Sequence, residues 1–118
     1  FIMSKAILPA LKTASNGRII FTSSGVAEVG RAFWGAYSAS KFAVKGLAEI
    51  LRDELETTSN IKVFNYDPGK TRTSMRASAY PAENPEELKK PSVLFNDYLW
   101  FFSEESQLSK QHYFKFND

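Results

Sequence analysis

Tyr37-Ser38-Ala39-Ser40-Lys41 opens residues 36–57, a stretch that reads as one long helix. Strand-like runs flank it: Arg18-Ile19-Ile20-Phe21-Thr22-Ser23 before it and Ile61-Lys62-Val63-Phe64-Asn65-Tyr66 after it. Strand, helix, strand in that order implies a parallel sheet whose connections run over its faces. Within the helix, Phe42, Val44, Leu47, Ile50, Leu51 and Leu55 supply an apolar face. Lys45, Glu49, Arg52, Asp53 and Glu56 fall mostly outside it.

Outward from that unit, residues 1–14 read as a helix, with Ile2, Ala6, Leu8 and Leu11 on one broad face. Asn16-Gly17 supplies the stop and turn. Residues 24–35 hold three glycines and read as loop, and Asp67-Pro68-Gly69 ends the second strand. Residues 70–84 read as polar loop with short turns. Asn84-Pro85-Glu86-Glu87 carries a cap, a proline and first-turn acids, so a helix is expected to start there. Residues 92–103 read as an aromatic-rich helix and residues 111–116 as a last strand. The fold class is α/β: three strands of a doubly wound parallel sheet with flanking helices. In such sheets ligands sit at the carboxyl ends of the strands, where Ser24 and Pro68-Gly69 both fall.

Composition narrows the function. A net charge of +2, with no basic run longer than Lys89-Lys90, leaves no nucleic-acid footprint. The chain has no cysteine and a single histidine, His112, so disulfide, thiolate-metal and multi-histidine sites are excluded. No apolar run approaches the ~20 residues of a membrane span. A cytoplasmic setting is the default expectation.

Tyr-x-x-x-Lys alone is weak: five Tyr and ten Lys in 118 positions predict about 0.4 chance occurrences. The chain holds a second match, Tyr66-x-x-x-Lys70. Residues four apart meet only on a helix, and Pro68-Gly69 inside the second match forbids one. Tyr37 and Lys41 can share a face. An ammonium one turn from a phenol favours the phenolate, which can then take an alcohol proton or return it to a carbonyl. Ser24 is placed to hydrogen-bond the same oxygen. With no cysteine and no metal set, the hydride is assigned to a bound nicotinamide.

Taken together, Ser24, Tyr37-Ser-Ala-Ser-Lys41 and Pro68-Gly-Lys-Thr-Arg-Thr73 resemble the short-chain dehydrogenases/reductases, single-domain Rossmann enzymes that use NAD or NADP. The resemblance covers the whole chain and matches the carboxyl-terminal half of that fold. It implies that Ser24 orients the substrate, that Tyr37 is the acid/base and also one of the cofactor-binding residues, and that Lys41 lowers the tyrosine pKa and holds the nicotinamide ribose. It further implies that Pro68, Gly69 and the backbone at Thr71 border the nicotinamide, while Thr73 bonds its carboxamide. The 71–81 stretch, with Leu99-Trp100, resembles one bacterial oxidoreductase subgroup of the family. The substrate expected is a small-molecule alcohol or carbonyl compound, and the family's helices corresponding to 1–14 and 36–57 commonly form dimers and often tetramers.

The chain departs from the family pattern at Asp67, where Asn is frequent. The family's glycine-rich TGxxxGxG loop, its Asn-Ala-Gly strand end and its relay asparagine have no counterpart in these residues. The chain opens at Phe1 inside a helical pattern and closes at Asp118 just after the last strand-like run, so it reads as a fragment carrying three of four catalytic positions. The isolated segment is therefore expected to be inactive.

Plainer readings stand beside these. A lone Tyr37–Lys41 pair could be packing and solvated charge; Ser23 competes with Ser24; Thr71 and Thr73 could be ordinary loop hydroxyls. Trp34 and Met75 are as well explained by loop packing as by lining a substrate pocket. Phe95, Tyr98, Trp100, Phe101 and Phe102 read as core rather than a cofactor stack, Arg72 and Arg76 as solvent-facing, and His112 as structural. Two other functions compete: a nucleotide-sugar epimerase or dehydratase, which shares Tyr-x-x-x-Lys, and a non-enzymatic nucleotide sensor or scaffold on the same fold.

Overall fold

The computed structural model describes residues 1–116; the chain end at Asp118 lies outside them. Three strands, β1 (Arg18–Thr22), β2 (Lys62–Asp67) and β3 (Tyr113–Lys115), form one sheet in the order β1-β2-β3. Both pairings are parallel, with Arg18 opposite Lys62, Thr22 opposite Tyr66 and Asn65 opposite Tyr113. Helix α1 (Ile2–Thr13) leads into β1, α2 (Gly35–Glu56) crosses from β1 to β2, and α3 (Ser74–Ala79) and α4 (Phe95–Phe101) lie between β2 and β3. The expected α/β order is present.

Alternation along β2 divides the core. Val63 packs with Ile19, Ile61, Ala48, Leu51 and Leu55 under α2. Phe64 and Tyr66 point the other way, into a cluster with Leu94 and Phe101 that Trp100, Tyr98 and Phe114 extend. Of the aromatics expected in the core, Tyr98, Trp100 and Phe101 pack there, with Phe64 ringed by Phe101 at 5.2 Å, Phe114 at 5.8 Å and Trp100 at 6.1 Å between centroids. Phe95 and Phe102 lie on the solvent side and are largely exposed, which corrects the expectation for those two. Gly17 is required where α1 turns into β1: a Cβ there would stand 2.9 Å from Ile61 Cγ1 and 3.0 Å from Leu11 O.

Arg18 is buried at the start of β1 and, among the described residues, has no carboxylate partner. Its guanidinium donates to four acceptors: Phe101 O and Ser106 Oγ (both 3.1 Å), Gly17 O (3.0 Å) and Ser103 O (3.2 Å). These satisfy a charge that burial would otherwise penalise heavily, and they tie β1 to the turn after α4.

Several local expectations change. Residues 74–79, expected as loop, form α3, because Thr73 caps it: Thr73 Oγ1 accepts from Arg76 N–H at 3.1 Å. The cap expected at Asn84 is present, accepting from Glu86 N–H, but only a single 3-10 turn, Pro85–Glu87, follows. The 92–103 helix is a 3-10 turn, Pro91–Leu94, followed by the shorter α4. On α1 the packed residues are Ser4, Leu8 and Leu11 rather than Ile2 and Ala6, and on α2 Phe42 and Ile50 stay exposed. Among the described residues no helix is long and apolar enough to cross a membrane.

Asn65 faces α2 beside a cavity of about 40 Å3, lined also by His112, Tyr113, Arg52 and Glu49. Both Asn65 amide atoms and His112 Nδ1 are buried with no hydrogen-bond partner among the described residues, and a polar space of this size takes water. Burial, with the Arg52 charge adding to it and Glu56 opposing, holds the His112 imidazole below its ordinary range. Its folded-state pKa is therefore below its unfolded one, so below about pH 6.5 the unfolded chain binds the proton first. Unfolding free energy is expected to fall as pH drops through that point, and His112→Gln to flatten the fall. Urea titrations of both proteins above and below it check this, and identical pH slopes would remove His112 from the account.

Candidate active site

Tyr37 sits in the first turn of α2, and Lys41 one turn later on the same face. Lys41 Nζ lies 5.8 Å from the centre of the Tyr37 ring. It donates to Thr22 O at 2.9 Å, so the ammonium is pinned to the end of β1. That bond spends one of three ammonium protons and leaves two to donate elsewhere. Tyr37 is further fixed by the edge of Trp34, 5.6 Å between centroids. Ser40 Oγ folds back on Tyr37 O at 2.7 Å and stays off the Tyr37–Lys41 face.

The rival match separates as the sequence predicts. Tyr66 lies inside β2, 1% exposed, and donates to the Asp97 carboxylate. Burial and then Asp97 push its phenol well above the ordinary range, which keeps it protonated and leaves no phenolate to act as a base.

Ser23 and Ser24 follow β1 and differ in direction. Ser23 extends the ladder through its N–H to Tyr66 O at 2.6 Å, and its side chain is buried. Ser24 is half-buried and caps the 3-10 turn Gly25–Ala27, its carbonyl accepting from Ala27 N–H at 2.8 Å. That turn buries Val26 and Ala27. Of the two hydroxyls, Ser24 is the one accessible at the carboxyl edge of the sheet.

Beyond β2, Gly69 takes φ +65°, a conformation glycine adopts at no steric cost. Its N–H donates to Asp67 Oδ1 at 2.9 Å, an Asx turn. Thr71 Oγ1 leans on Pro68 O and Gly69 O at 3.4 and 3.3 Å. Thr73 uses its oxygen to cap α3, and its hydroxyl proton is free to donate.

The sequence reading missed how α3 is held. Trp34 stacks on Tyr80 at 5.4 Å. Arg76 lies 3.7 Å over the Tyr80 ring and binds Glu83 twice, at 2.6 and 2.7 Å. Those bonds hold the Glu83 carboxyl below the usual carboxylate range. Arg72 pairs with Glu86. The expectation of solvent-facing arginines is thus corrected, since both guanidiniums meet carboxylates contributed by residues 83–86. The only signal in the sequence was an aromatic, Tyr80, in an otherwise polar stretch. Between these groups and Thr73 lies a hollow of about 300 Å3. Met75, by contrast, is largely exposed. No group of three metal-ligating side chains occurs among the described residues.

A family model described as short chain dehydrogenase matches residues 1–84. The uncharacterized oxidoreductase YciK of Escherichia coli K12 is 45% identical over 107 residues, covering 91% of this chain and 42% of that protein. A 3-ketodihydrosphingosine reductase of Bacteroides thetaiotaomicron is 44% identical over 71 residues, 60% of this chain and 26% of that protein. Among solved structures, a short chain dehydrogenase from Escherichia coli CFT073 complexed with NADPH aligns with a TM-score of 0.91 at 43% identity, over 98% of this chain and 47% of that one. The chain therefore spans about half the length of the relatives it matches.

Proposed function

The chain belongs to the short chain dehydrogenase family, and on that premise we propose that the protein carrying it is a nicotinamide-dependent oxidoreductase interconverting an alcohol and a carbonyl. The observation that carries the reading is the Lys41 ammonium, pinned on Thr22 O one turn from the Tyr37 ring. With that cation beside the ring, Tyr37 takes the alcohol proton in one direction and returns it to the carbonyl oxygen in the other. Ser24 donates a hydrogen bond to that same oxygen and holds it toward Tyr37.

The residues present fit a nicotinamide nucleotide by the chemistry of their donors. Lys41 keeps two protons for ribose hydroxyls, and Thr73 keeps its hydroxyl proton for the carboxamide. Pro68, Gly69 and the Thr71 backbone form the wall beside the ring. When bound, the nicotinamide supplies or accepts the hydride. NADP is the better-supported form, since relatives were solved with NADP and NADPH.

This segment is the carboxyl-terminal half of a Rossmann domain in that reading. Among the described residues β1 is an edge of the sheet, with β2 as its one partner, and its apolar residues suit a further parallel strand. Phe1, Ile2 and Met3 on or beside α1 and Phe42 and Ile50 on α2 are exposed, which fits the two helices expected to form a homodimer or homotetramer. The substrate is a small molecule.

Loss of NADPH absorbance on adding a panel of aldehydes and ketones tests the reading. The complete protein is expected to turn over at least one of them, and the 118-residue segment alone none. A complete protein that binds NADPH yet reduces nothing in the panel would favour a nucleotide sensor on this fold. Turnover by the segment alone would overturn the half-domain reading.

A further inference from the structure

We infer that Asp67 makes this site favour the oxidised, cationic nicotinamide over the reduced, neutral one, so that the equilibrium between the bound reactants leans toward the reduced carbonyl. The inference rests on the nicotinamide reading above. Asp67 closes β2 and is 3% exposed. Its Oδ1 accepts from Gly69 N–H at 2.9 Å, and its Oδ2 lies 3.7 Å from where a Cβ on Gly25 would stand. The carboxylate therefore sits between the turn that follows Ser24 and the Pro68–Gly69 turn, the two loops assigned to substrate and cofactor.

Its charge is surplus to its structural task. An asparagine makes the same Asx turn with a neutral side chain. An unpaired carboxylate taken out of water is costly, yet among the described residues no Lys or Arg forms an ion pair with Asp67. Tyr113 stands beside it on β3, its phenol held above the ordinary range by burial first, then by the Asp67 and Glu28 carboxylates, with Ser23 opposing. Lys41 is the cation of the catalytic face, and its ammonium is bound to Thr22 O. Lys89 approaches Gly69, 3.1 Å from the position of a Cβ there, with its ammonium over the Phe116 ring.

A nicotinamide ring gains one positive charge when it gives up hydride. A fixed negative charge in a site of low effective dielectric interacts with that change more strongly than it would in water. The ring's two redox states are thus distinguished by a group that need not touch the substrate, so Asp67 acts as a positioning and electrostatic residue.

The test is a pair of dissociation constants, for NADP+ and for NADPH, measured by quenching of protein fluorescence in the complete protein and in Asp67→Asn. The expected result is a rise of about fivefold or more in the NADP+ to NADPH ratio of dissociation constants, carried by weaker NADP+ binding. Asp67→Ser, whose hydroxyl can also accept from Gly69 N–H, is a second charge-free variant should Asn fold poorly, and it is expected to shift the ratio the same way. An unmoved ratio in folded variants overturns the inference and leaves the nicotinamide reading standing. Failure of the unsubstituted protein to bind either dinucleotide overturns both.

Discussion

Tyr37→Phe in the complete protein is expected to lower the carbonyl reduction rate by about 10²–10⁴-fold, the range a positioned acid/base contributes. The substitution removes one oxygen and keeps the ring, so the Trp34 edge contact and the start of α2 are retained. Lys41 stays on Thr22 O, because that bond does not involve the phenol. The loss therefore belongs in kcat, with NADPH affinity nearly unchanged. Stopped-flow single turnovers separate the two, since binding is read before chemistry. An unchanged rate would return Tyr37 to the role of a packing aromatic and favour the sensor reading; a loss confined to cofactor affinity would make it a binding residue only.

Phe64→Ala should cost about 3–5 kcal/mol of stability, the range for truncating a fully buried aromatic. Phe64 is 0% exposed in the central strand and touches three rings of the α4 and β3 layer. Alanine leaves a cavity that Phe101, Trp100 and Phe114 can only partly fill, because each is held by the other rings. Against a typical total of about 5–15 kcal/mol, the urea midpoint should drop by a large fraction, with the slope unchanged if the native fold survives. Met75→Ala, at a residue 65% exposed, is the control and should move stability by no more than about 0.5 kcal/mol. Equal effects at the two positions would mean that the aromatic layer is not the core.

Tertiary bonding overrode local expectation mainly between β2 and β3. Residues 74–79 carry too little apolar periodicity to announce a helix. α3 forms on a cap from Thr73 and is held through Tyr80 on Trp34, a partner 46 positions earlier in the chain. Arg72 and Arg76 read as solvent-facing because no opposite charge lies within a helical turn of either. Glu86 and Glu83 come within reach only when the segment turns back.

The sequence by itself determined the strand–helix–strand order, the shared face of Tyr37 and Lys41, and the disqualification of Tyr66–Lys70. Each depends on backbone periodicity or on what Pro68-Gly69 forbids within a few residues, and such rules are local. Only the tertiary structure decided that Lys41 is pinned on Thr22 O, that Ser24 rather than Ser23 is accessible, and that the Asp67 carboxylate lies between two loops. Those facts depend on how β1 and β2 pair in register and how α2 lies across them. Contacts of that kind join residues from 19 to more than 40 positions apart, a distance at which one chain's periodicity carries no information.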